Sequence, residues 1–157
     1  MGGEAGGHGA LNDMAAAALD ASLVVLLGVV TVSDMRTRLV PDAPLAVGVC
    51  VALALCLLSD PHGVPGRLVA GIAAGGFLLA AALIRPDGMG LGDVKIAGVL
   101  GIYLGVRVAE AMVVAFAAGS IAGLVLIARL GWAARSRTIP FAPFLAFGAL
   151  VAIAPQP

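Results

Sequence analysis

Residues 68–105 read LVAGIAAGGFLLAAALI, then RPDGMGLGD, then VKIAGVLGIYLG: two apolar stretches, 68–84 and 94–105, joined by a short polar one. Within each stretch the apolar residues are continuous rather than alternating, and Ala, Leu and Gly dominate. That pattern predicts helices hidden from water, not half-exposed strands or the dyad repeat of a membrane barrel. The polar connection holds Pro86, glycines at the alternate positions 88, 90 and 92, and the charged residues Arg85, Asp87 and Asp93. It is too short to fold by itself, so the chain must turn back there into a second apolar helix.

The rest of the chain repeats this arrangement. Apolar runs at 14–33, 43–58, 68–84, 94–105, 108–128 and 141–154 alternate with brief polar segments. Of 157 residues, 61% are hydrophobic and 11% charged, and mean hydropathy is +1.10. A soluble domain is about a quarter charged, and a disordered chain is poor in apolar residues; both classes are excluded. The expected fold is all-α, a polytopic membrane protein of about six crossings at roughly 20 residues each. The run at 94–105 is short for a full span, so the division around Gly105–Arg107 is the least secure boundary.

Nine basic residues balance nine acidic ones, so net charge points to no nucleic-acid partner. Cys50 and Cys56 lie in one apolar run, match no zinc spacing and read as packing residues. His8 and His62 make no metal pair. Residues 1–13 are Gly-rich and lack the positive start of a signal peptide, so they read as a short tail before a single membrane domain, 14–157. With six crossings, Arg36, Arg38, Arg85, Lys95, Arg129, Arg135 and Arg137 share one side, against Arg67 and Arg107 on the other. That asymmetry places the basic loops in the cytoplasm and both termini outside it, in a cytoplasmic membrane.

Asp34 closes the first run and Asp93 opens the fourth. The topology puts both at helix ends on the cytoplasmic side, where they can face each other despite their separation in sequence. Carboxylates in membrane segments are costly unless solvated, paired or functional. Two that approach closely share a proton, one acting as base toward water while the other donates to a carbonyl. The plainer reading makes Asp93 a helix cap and Asp34 a partner for Arg36 or Arg38. Phosphate binding is excluded at GMGLGD, because no strand precedes the glycines and no Walker lysine follows.

Three segments decide between these readings. Asp34-Met35-Arg36-Thr37-Arg38-Leu39-Val40-Pro41-Asp42 resembles the first aspartate motif of type IV prepilin peptidases. Gly88-Met89-Gly90-Leu91-Gly92-Asp93-Val94-Lys95 is similar to their GxGD motif, and 139–148, IPFAPFLAFG, to the segment entering their last helix. The resemblance implies an intramembrane aspartic endopeptidase with Asp34 and Asp93 as the catalytic pair and Gly90 and Gly92 shaping the loop. It implies no metal or organic cofactor. The implied substrate is a prepilin-like precursor with a basic leader, a glycine before the cut and an apolar stem. Larger members carry an N-terminal CxxC segment and also methylate their product. This chain is more similar to the short Flp/Tad-type or archaeal preflagellin peptidases, so N-methyltransferase activity is not expected.

The remaining polar residues have simpler expectations. Lys95 could orient Asp93 or snorkel to the interface. Asp42 is expected to cap the second helix, with a supporting role in the site as the alternative. Asp87 reads as a turn residue. Asp20 and Glu110 are interfacial, and Trp132 with its neighbouring arginines suits a headgroup surface. The competing function class is a small transporter or proton-coupled subunit, which predicts polar groups at the bilayer midplane rather than at helix ends.

Overall fold

In bilayer hydrocarbon every backbone N–H and C=O must bond within the protein, so each apolar run closes its own hydrogen bonds as a helix. A computed structural model describes residues 4–37, 41–84, 90–130 and 140–154, and among these are six α-helices. They are α1 (Glu4–Thr37), α2 (Asp42–Ser59), α3 (Val64–Ile84), α4 (Leu91–Leu104), α5 (Val108–Leu130) and α6 (Ala142–Ile153). Each expected run has its helix. The first helix begins at Glu4, within the segment expected to be a tail, although the stretch fit to cross a membrane starts only at Asp13.

Each break has a local cause. Pro41 is extended at φ −69° and ψ 131°, and proline cannot supply an N–H to continue a helix from α1. After α2, Asp60 Oδ1 accepts from the Gly63 N–H at 3.1 Å and ties the short 3-10 turn Pro61–Gly63. Between α4 and α5, Gly105 has φ 59°, a conformation that favours glycine. The chain reverses there, so the apolar stretch Leu91–Arg129 is a hairpin and not one long rod.

The helices close on one another through small residues, as expected where lipid is as apolar as the side chains it would replace. A Cβ on Gly101 would run into the Gly71 backbone, and one on Gly71 would sit 2.8 Å from the Gly98 carbonyl oxygen. Gly148 of α6 likewise rests on the Ala111 carbonyl of α5. Between these seams lie fully buried Leu23, Leu78, Leu100 and Leu145, drawn from α1, α3, α4 and α6. Cys56 is buried as a packing residue, whereas Cys50, turned by about 240° from it around the helix, is exposed on the helix surface.

Polar ties finish the bundle. The buried Tyr103 hydroxyl donates to the Gly48 carbonyl at 2.9 Å, joining α4 to α2. Arg67 Nη1 donates to the carbonyls of Ile102 and Tyr103 in the last turn of α4, meeting orphan acceptors at the negative end of a helix. Truncation by Arg67→Ala should cost on the order of 1–3 kcal/mol. Thermal unfolding in detergent micelles reads this directly; an unchanged midpoint would show that the contact carries no stability.

Candidate active site

The buried residues of α1 follow one stripe, Leu19, Leu23, Leu26, Leu27 and Val30, and the next position at helical spacing is Asp34. On α4 the stripe of Ile96, Ala97 and Leu100 extends back one turn to Asp93. Each carboxylate is therefore the terminal member of a core-facing stripe, and each is half-buried. Helix α6 packs against both α1 and α4, which brings the two stripes together at one end of the bundle. There the Asp34 charge acts on the Asp93 carboxyl.

Local structure around Asp93 departs from the expected cap. Gly90, at φ −78° and ψ 147°, occupies the capping position without a side chain to bond, and Asp93 is three residues inside the helix. Its carboxyl accepts from the Gly90 backbone, the return half of a capping box. A Cβ on Gly90 would lie 3.7 Å from Asp93 Oδ2. Gly92 is half-buried in the first turn of α4. Gly88, Met89 and Asp87 lie outside the described residues, as do Arg38, Arg85, Trp132, Arg135, Arg137 and Ile139.

The structure corrects the expectation for Asp42. Pro41 holds the capping position, no side-chain cap forms, and Asp42 is the first residue of α2. Its Oδ1 lies 2.5 Å from Lys95 Nζ. Lys95 therefore points to α2 instead of bonding Asp93. Nothing in the spacing of these two residues announces the pair; opposite charges at the starts of two adjacent helices were the available hint. Asp20 and Glu110 are exposed, as are Arg107 and His62.

Depth is the other property that spacing could not reveal. Helix α4 runs antiparallel to α3 with Gly98 beside Gly71 and Gly75, and with Val94 O near Gly75. Asp93 is therefore level with about residue 78 of α3, which continues to Ile84, a further ~9 Å at 1.5 Å per residue. The start of α6 is level with Gly119 of α5, since a Cβ there would meet Phe141 and Phe144; α5 runs on to Leu130, about 15 Å more.

The protruding ends carry exposed Leu79, Leu83 and Ile84 on α3, and Ile121, Leu124 and Val125 on α5. The two carboxylates therefore sit in a recess, short of the ends of α3 and α5. A linked row of rings, Phe77, Phe116, Phe141 and Phe144, spans the wall between α3, α5 and α6 at this depth.

Fold and site together define a polytopic helical membrane protein with two neighbouring carboxylates recessed at one end. A model described as the type IV leader peptidase family matches residues 21–128, and the chain belongs to that family. It is also 33% identical over 132 residues to a prepilin leader peptidase/N-methyltransferase of Bacillus subtilis (strain 168). The match takes in 82% of the chain and 52% of that relative, so the chain spans about half the relative's length. No solved structure matches it.

Proposed function

We propose that this chain is an intramembrane aspartic endopeptidase that removes the basic leader from prepilin-like precursors at the cytoplasmic face. The observation that carries the reading is the convergence of Asp34 and Asp93 at the ends of two core stripes, in a chain of the leader peptidase family. One carboxylate, deprotonated, takes a proton from water as that water attacks the scissile carbonyl. The other, protonated, donates to the carbonyl oxygen and stabilises the charge that develops there. The resulting tetrahedral intermediate collapses when the leaving nitrogen is protonated, and the pair returns to sharing one proton. No metal or organic cofactor is needed for these steps.

The recess gives this chemistry a substrate requirement. A strand reaching the carboxylates from the end of α3, ~9 Å away, uses about three extended residues. The basic residues of the leader then stay at the headgroup level, attracted by anionic lipid, while the bond to be cut lies at the carboxylates. The apolar stem beyond the cut remains in lipid. The positive-inside asymmetry of the sequence supports a cytoplasmic opening.

Co-expression with a candidate prepilin in bacterial membranes tests the reading. The expected result is a leader-free product whose mass places the cut at the boundary between leader and apolar stem. Well-inserted protein that processes none of several matched precursors would overturn it.

A further inference from the structure

Helix α1 packs chiefly on α2 and α6, whereas α4 packs chiefly on α3, and direct packing between α1 and α4 is slight. Besides α6, helix α2 also packs on both α1 and α4 and so bears on how Asp34 meets Asp93. We propose that Asp42 and Lys95 form an interhelical clamp that sets the separation of Asp34 and Asp93, acting as positioning residues for the cleavage. The inference rests on the peptidase reading above and adds a role for a pair outside the reacting groups.

The geometry carries it in three steps. Asp42 begins α2 directly after Pro41, and α2 packs along α1, so its position is coupled to the helix that bears Asp34. Lys95 is two residues after Asp93, which on a helix turns it by about 200°. Asp93 can thus face α1 while Lys95 is held by α2, and the 2.5 Å contact fixes the rotation of the first turn of α4. At the far end of α4, the bond from Tyr103 to Gly48 ties it to α2 again. Helix α4 is then pinned to α2 at two points, with Val49, Val99 and Ile102 lining an apolar groove of about 360 Å³ between them.

The clamp differs from a mere stability contact. The side chains of Lys95 and Asp42 are 51% and 75% exposed, and exposed ion pairs add little to stability. Breaking the pair should leave the fold standing and change the alignment of the carboxylates.

Cleavage of a prepilin by the full-length protein in liposomes provides the first measurement. Asp42→Asn and Lys95→Met should each lower kcat by on the order of tenfold to a hundredfold, as a misalignment of about 1 Å does. KM should stay within about twofold, since no substrate contact is lost. The exchange Asp42→Lys with Lys95→Asp should recover most of the rate. Wild-type kcat in both single variants, a loss seen in KM alone, or no recovery in the exchange would overturn the clamp.

A second measurement needs no activity. Cysteines replacing Asp34 and Asp93, with Cys50 and Cys56 changed to Ala, should form a disulfide under copper-phenanthroline oxidation. Adding Lys95→Met should slow its formation severalfold. An unchanged rate would refute the clamp while leaving the peptidase reading intact. A slowed rate, together with a parent protein retaining Asp34 and Asp93 that cleaves no matched precursor, would sustain the clamp and refute the peptidase.

Discussion

Asp34→Asn and Asp93→Asn should each lower leader cleavage by at least about a thousandfold, and the double variant should be no worse than either alone. Two carboxylates sharing one proton act as a unit. Removing one removes both the base and the correct protonation of its partner, and such effects do not add. Asparagine has nearly the same volume as aspartate and carries no charge, so neither change should hinder insertion. Asp20→Asn, at an exposed position ~21 Å along α1 from Asp34, controls for the loss of a carboxylate as such and should cleave normally. The assay is the ratio of processed to unprocessed prepilin in membranes, normalised to the amount of inserted peptidase. A tenth of wild-type activity in either site variant would rule out the pair as the catalytic centre.

The largest expected effect on folding lies at the glycine seams. Gly101→Val places a branched side chain where the backbone of Gly71 already stands, and Gly148→Val does the same against the Ala111 carbonyl. Backbone cannot rotate aside as a flexible side chain can, so relief requires separating the paired helices. Overpacking commonly costs 1–3 kcal/mol, and here more than about 3 kcal/mol is expected. By contrast, a Cβ on Gly123 meets nothing within 4 Å, and Gly123→Ala should be neutral or stabilising by up to about 1 kcal/mol. Size-exclusion chromatography after heating in detergent separates these cases. A monodisperse Gly101→Val protein with wild-type thermal stability would show that α3 and α4 do not meet as closely as this.

The comparison of these two glycine types shows how far a sequence can be read. Gly101 and Gly123 both sit in apolar helices, and nothing in their neighbours along the chain distinguishes the seam from the open surface. Cys50 and Cys56 pose the same problem: both read as packing residues, yet one faces outward. In a membrane helix apolar residues cover every face, because lipid accepts them as readily as the core does. The amphipathic signal that marks the buried face of a soluble helix is therefore absent. Asp34 and Asp93 escaped this ambiguity because a carboxylate is costly in lipid and must have a reason to be there.

The sequence by itself determined that this is a helical membrane protein, where its helices lie, and that Asp34 and Asp93 fall at one end of the bundle. It could do so because continuous apolar runs, prolines, glycines and intramembrane carboxylates each act through local energetics. Tertiary structure alone decided that Asp42 bonds Lys95 and that α4 and α6 start well below the ends of α3 and α5. Depth depends on the register between neighbouring helices, which is set by which glycine meets which backbone. That is a property of pairs of distant segments, and no single stretch of the chain contains it.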